Sequence, residues 1–122
     1  MAGPRFVKLD VDYFGNPKVL RAGKDGMVLH LASMAHCGRY LTDGWLAAEA
    51  VEDMTRSLRL RPAAIERVVR AGLWVPAEGG FELHDFTAMN GTRAEVEARI
   101  KLRREGGRER QRRYRERHGD DD

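Results

Sequence analysis

Arginine is the residue type with which this sequence can do most chemistry. Between positions 56 and 70 five arginines, Arg56, Arg59, Arg61, Arg67 and Arg70, stand against a single acid, Glu66. The guanidinium group is a permanently charged planar fork of donors that matches phosphate oxygens and the guanine edge in the major groove. A second concentration lies at 99–118. There Arg99, Lys101, Arg103, Arg104, Arg108, Arg110, Arg112, Arg113, Arg115 and Arg117 face only Glu105, Glu109 and Glu116, and Asp120, Asp121 and Asp122 follow. Residues 1–92 carry 11 basic and 11 acidic side chains, so the net charge of +3 hides a neutral body and a strongly basic arm. That asymmetry points to a polyanionic partner, most often nucleic acid. Tyr114, set among the arginines, is placed to stack on an exposed base.

Other chemistries find less support. Asp10 and Asp12 with Glu82 and Asp85 could in principle hold Mg²⁺ as nucleases require, but alternating carboxylates on an exposed strand face are more often plain surface. His30, His36, Cys37 and His84 include metal-ligand types without CxxC or HxxxH pairing, and the neighbours His36 and Cys37 fall on different helix faces. Glycine-rich phosphate loops and nucleophile elbows are missing from the sequence. The expectation is a protein with no catalytic residues, no metal and no cofactor.

The elements that must position the arginines follow from periodicity and caps. Leu9, Val11 and Tyr13 alternate with Asp10 and Asp12, which predicts an extended segment with one buried face. Asn16-Pro17 reads as an N-cap and first helical position, opening a short helix that stops at Gly23. A longer helix over 24–40 is expected to bury Met27, Leu31, Met34 and Ala35, widened by Val28, Leu29, Ala32 and Cys37. Thr42-Asp43-Gly44 is a turn beside a short strand at Trp45-Leu46. Ala47, Ala50, Val51, Met54 and Leu58 recur at helical spacing over 47–58. After a break at Arg59-Leu60-Arg61, Pro62 opens a second helix in which Ile65, Val68 and Val69 form the core stripe and Gly72 is the stop. Two short helices joined by a brief turn fit a helix-turn-helix. The stripe turns Ala63, Glu66, Arg67 and Arg70 outward, with Arg67 and Arg70 one turn apart beside the small Ala63, which suits close approach to bases or phosphates.

Leu73-Trp74-Val75, the turn Pro76 to Gly80, and Phe81 to Phe86 then read as a hairpin, with His84-Asp85 ending its second strand. The turn holds Glu78 and no cation, so a structural hairpin is expected rather than a phosphate clamp. Thr92-Arg93-Ala94-Glu95 is a capping box for a helix over 93–105, ended by Gly106-Gly107. Residues 106–122 lack an apolar face and are expected to be disordered without a partner. The predicted fold class is mainly α with a small β-hairpin: a winged helix-turn-helix over 1–92, then a C-terminal helix and Arg-rich tail over 93–122, partly disordered.

Composition sets the outer limits. A chain of 122 residues suits one domain, and a hydrophobic fraction of 42% supplies one modest core. No apolar run approaches the ~20 residues needed to span a bilayer. Residues 1–8 lack the apolar stretch of a secretory signal, and Cys37 alone makes no internal disulfide. A soluble cytoplasmic protein without a membrane partner, associated with the nucleoid when bound, is the expectation.

The phrases FVKLDVDYFGNPKVL, LHLASMAHCGRYLTDGWL, VVRAGLWVPAEGGFELHDF and NGTRAEVEAR resemble winged-helix proteins of actinobacterial phages and mobile elements. These in turn are similar to the N-terminal domains of phage replisome organisers, the replication initiators. The resemblance covers residues 5–100 and lies in the order of elements together with LTDG, GLW and HDF. It implies duplex-DNA binding at an origin or operator without a cofactor, with Arg61, Ala63, Ala64, Arg67 and Arg70 at the recognition positions. Replisome organisers usually continue into a domain that contacts a helicase or loader, where this sequence has its arginine-rich tail. The expected function is sequence-specific duplex-DNA binding, with recognition through Arg56, Arg59, Arg61, Ala63, Arg67 and Arg70 and phosphate contacts through Arg103, Arg104, Arg108, Arg110, Arg112, Arg113 and Arg115. A replication or transcription protein is a further expected partner. The alternatives are a transcriptional regulator of the same fold, acting as a homodimer on a palindrome, an RNA-binding factor relying on the tail, and a protein-docking module.

Overall fold

The computed structural model describes residues 5–118. It is mainly helical, with one small antiparallel sheet. Residues 5–12 form no helix or strand, and a 3-10 turn follows at Tyr13–Gly15. Here the alternating pattern misleads. Tyr13 is buried, but Val11 is 96% exposed and Leu9 is exposed too. The Asp10 side chain accepts from the Asp12 amide at 2.7 Å and its carbonyl from the Tyr13 amide at 3.0 Å, so the carboxylate tightens a turn where a strand was expected.

Helix α1, Pro17–Tyr40, begins as the sequence predicts: the Asn16 side chain accepts from the Lys18 amide at 2.9 Å and Pro17 takes the first helical position. Gly23, at φ 75° and ψ 178°, breaks it into two rods at the expected place. The buried face is only partly the expected one: Leu29 and Cys37 are buried as expected, but the centre of the face is shifted. Ala22, Gly26, Leu29, His30, Ser33 and Cys37 lie deepest, Met27, Leu31 and Met34 pack only at the margin, and Ala35 is exposed. Small and hydrogen-bonded residues occupy the centre because other elements come close there.

Strand β1, Trp45–Ala47, leads into α2, Ala48–Ser57, and then α3, Ala63–Arg70. Strands β2, Trp74–Ala77, and β3, Gly80–Leu83, form a hairpin tighter than expected, with only Glu78-Gly79 outside the pairing. β3 is central: it pairs with β2 through Trp74↔Leu83 and with β1 through Leu46↔Phe81. Leu46, Trp74 and Leu83 close the core from the sheet side, against Leu29, Val51 and Val68 from the helices.

A short helix that periodicity did not reveal, α4 at Phe86–Asn90, buries Phe86. The Thr92 hydroxyl then caps the Glu95 amide at 3.2 Å, and α5 runs over Arg93–His118. The expected stop at Gly106-Gly107 is corrected: the helix continues through both glycines to His118, while residues 119–122, part of the segment expected to be disordered, lie outside the described part. Each glycine costs about 1 kcal/mol of helix propensity. Arginine, glutamate and glutamine around them are good helix formers, and the pairs Arg113–Glu109 at 3.0 Å and Arg112–Glu116 at 3.8 Å add support.

Candidate nucleic-acid interface

The seat of α3 is built from both of its ends. α2 closes with the Leu60 amide on the Thr55 carbonyl at 2.9 Å and the Arg59 amide on the Arg56 carbonyl at 3.1 Å. This Schellman closure puts Arg59 in the left-handed region at φ 56°, a place that favours glycine. Pro62 flanks α3 and does not open it, so the helix starts one residue later than expected. No side chain caps its first turn, and the lead-in is instead tied to another element. Asp25 of α1 accepts from the Arg61 amide at 2.9 Å, across 36 residues of sequence. At the far end Gly72 stops the helix and the Leu73 amide returns to the Val68 carbonyl at 3.2 Å.

Between these ends α3 lies on α1. Ala64, Val68 and Ala71 are buried, and Ile65 and Val69 pack beside them. The approach is close at Gly26, where a Cβ would stand 3.4 Å from Val68 Cγ2 and 2.9 Å from Ala22 Cβ. Ala64 is therefore not a recognition position, contrary to what the resemblance implied. It is sealed under the helix by the side that faces α1.

Ala63, Glu66, Arg67 and Arg70 do face outward, and Arg56, Arg59 and Arg61 are exposed beside them. They are not equivalent. Arg70 is bound to Glu66 at 2.7 Å and Arg56 to Asp53 at 3.6 Å. Arg59, Arg61 and Arg67 have no carboxylate at ion-pair distance among the described residues. Arg67 extends over the bend of α1, its guanidinium where a side chain on Gly23 would otherwise be. The hairpin tip carries exposed Glu78 and no cation.

The arm emerges elsewhere. Ile100, Lys101 and Arg104 of α5 share a concavity with Arg5 and Leu41, at the C-terminal end of α1, and Arg5 donates to the Arg39 carbonyl at 2.7 Å. Gly23 and Leu41 are separated by about 27 Å of helix at 1.5 Å per residue. Arg103, Arg104, Arg108, Arg110, Arg112, Arg113 and Arg115 are all exposed, and no residue of α5 is buried.

Beneath the interface runs a buried polar chain that sequence patterns did not signal. The Tyr13 hydroxyl meets His30 Nδ1 at 2.7 Å, the Ser33 hydroxyl donates to the His30 carbonyl at 2.6 Å, and Trp74 Nε1 donates to Ser33 Oγ at 3.2 Å. Burial lowers His30 to about 4 and pushes Tyr13 up to about 12. At neutral pH the phenol keeps its proton and the imidazole is uncharged, so the bond joins two neutral groups. The chain ties the 3-10 turn and strand β2 to α1, and so fixes the frame that holds α3. Burial also raises the Cys37 thiol, which sits against the Trp45 carbonyl at 3.6 Å, so it is a packed core group and no ready nucleophile.

Among the described residues, no group of three or more His, Cys, Asp and Glu side chains is placed to hold a metal ion, so Asp10, Asp12, Glu82 and Asp85 are not gathered into one. No described helix is long and apolar enough to cross a membrane. No protein-family model matches the chain, and neither a curated protein nor a solved structure matches it.

Proposed function

We propose that this protein is a winged-helix binder of duplex DNA, in which α3 enters the major groove and the cationic arm adds affinity through phosphates. One observation carries the reading: α3 is held by Ala64, Val68 and Ala71 on α1 while Ala63, Arg67 and Arg70 stand in solvent. The order of helix, strand, two helices and hairpin is the arrangement in which a winged helix presents its recognition helix. Arg70 reaches a base or phosphate by leaving Glu66, an exchange of one surface partner for another that costs little.

Binding titrations at two salt concentrations test the reading. Arg67→Ala with Arg70→Ala removes the preference for a cognate site over random duplex. Truncation after Glu105 mainly flattens the salt dependence, by about 0.9 in the log–log slope for each phosphate no longer neutralised. Equal losses from both changes on both duplexes refute this division of labour. The resemblance of the sequence phrases is the support for a role in replication initiation of a phage or mobile element. A regulator is recognised instead by a dimer in sedimentation and a palindromic footprint.

A further inference from the structure

We propose that the arm touches nucleic acid with one face only: Lys101, Arg104, Arg108, Arg112 and Arg115 of α5, continued onto the body by Arg5, form the row that seats the phosphates of duplex DNA. This rests on the DNA-binding reading above and deepens it, since a disordered arm has no faces.

The continuity of α5 through Gly106-Gly107 sorts the cations. At 100° per residue, positions 101, 104, 108, 112 and 115 fall within a sector of about 80°. They recur once per turn over about 21 Å, a length along which one strand of B-form duplex presents about six phosphates. Arg99, Arg103, Arg110, Arg113 and Arg117 fall on the far side, and Glu105, Glu109 and Glu116 occupy one flank between the two.

The two sides differ only in part in what already holds them, since Arg110 and Arg117 of the far side also have no carboxylate at ion-pair distance among the described residues. On the far side Arg99 donates to the Asn90 carbonyl at 3.2 Å, Arg113 is bonded to Glu109 at 3.0 Å, and Arg103 borders the cleft under residues 5–8. On the row, Lys101, Arg104, Arg108 and Arg115 have no carboxylate at ion-pair distance among the described residues, and Arg112 meets Glu116 only at 3.8 Å. Lys101, Arg104 and Arg108 also line, with Arg5, the concavity of about 620 Å³ where the arm leaves the body. Glu97 and Glu105 line it too, Glu97 within the sector of the row but paired with Arg93 at 2.9 Å, and the four cations outnumber them. A groove lined by one sign of charge concentrates the opposite charge. Arg5 does not stand out in the sequence, because only the fold brings it to Lys101 and the arm.

The test uses two full-length variants of identical charge. One carries Arg104→Gln, Arg108→Gln, Arg112→Gln and Arg115→Gln. The other carries Arg103→Gln, Arg110→Gln, Arg113→Gln and Arg117→Gln. Each breaks one helical ion pair, and far-UV circular dichroism checks that both keep α5. Titration of a random 30-base-pair duplex from low to high salt is the readout. The row variant loses about 3 from the log–log salt slope and at least tenfold in affinity, and the far-side variant loses less than about 1 in slope. Equal losses mean that the arm acts as unsorted charge, and they overturn the proposal. So does an affinity for duplex DNA that stays unchanged in both variants, or a preference for structured RNA through the row. A wild-type protein that binds no nucleic acid brings down the DNA-binding reading itself, a result distinct from the others.

Discussion

Helix α3 and helix α5 both present arginines, and they hold them by opposite means. α3 has eight residues, too few for an isolated helix in water, and exists because Ala64, Val68 and Ala71 are packed on α1. α5 has 26 residues and buries none of them. Its order comes from helix propensity and i,i+4 ion pairs, worth a few tenths of a kcal/mol each. Arg67 and Arg70 thus move with the core, while the arm's cations move with a helix that answers to salt and to its own sequence. Reading bases needs positions fixed to a fraction of a bond length, whereas holding phosphates needs charge in rough register.

Acid is the largest lever on this contrast. Unfolded, His30 takes up a proton near its ordinary value of 6.5, and folded, burial delays uptake to about 4. The stability it contributes is complete above about 6.5 and falls as pH drops toward 4, by about 3 kcal/mol in all. Urea midpoints at pH 7, 5.5 and 4 measure the loss, which belongs to the body carrying α3; a flat profile over this range contradicts a neutral buried imidazole. Next in size, Val68→Ala lowers stability by about 2–3 kcal/mol, while Leu102→Ala on the exposed arm changes it by less than about 0.5. Equal effects in denaturant titrations erase the distinction between the two helices. Replacing Gly106 and Gly107 together by Ala gives the arm about 2 kcal/mol of local helix propensity. Helicity rises, the midpoint of global unfolding stays where it was, and a shifted midpoint shows that the arm is coupled to the core. The smallest effect is at Arg59. Arg59→Gly relieves the left-handed backbone and raises stability by about 0.5–1 kcal/mol while weakening DNA binding, as calorimetry and titration of one variant show together.

Local chemistry was legible in the sequence wherever it closed on itself. Asn16-Pro17, the Gly23 break, the Gly72 stop and the Thr92–Glu95 capping box are decided within a few residues, and all stand in the structure. The outward face of α3 was legible too, since Val68 and its neighbours fix the inner one. What escaped depends on distant partners. Asp25 ties down the lead-in to α3 from another helix, Gly26 and Ser33 sit deepest in α1 because α3 and Trp74 come to them, and Ala64 is covered by that same approach. At Asp10–Tyr13 a period of two was outweighed by one carboxylate closing a turn. At Gly106-Gly107 the two breakers were outweighed by neighbours that favour a helix and by nothing nearby that opposes one.

The bond from Asp25 to the Arg61 amide and that from Arg5 to the Arg39 carbonyl grip the same rod near its two ends. Fourteen helical steps from Asp25 to Arg39 set a gauge of about 21 Å. The first bond ties down the lead-in to α3 and the second lies beside the root of α5, so under the proposed DNA-binding reading the rod is a calliper: a duplex that meets both helices matches that spacing or bends to it.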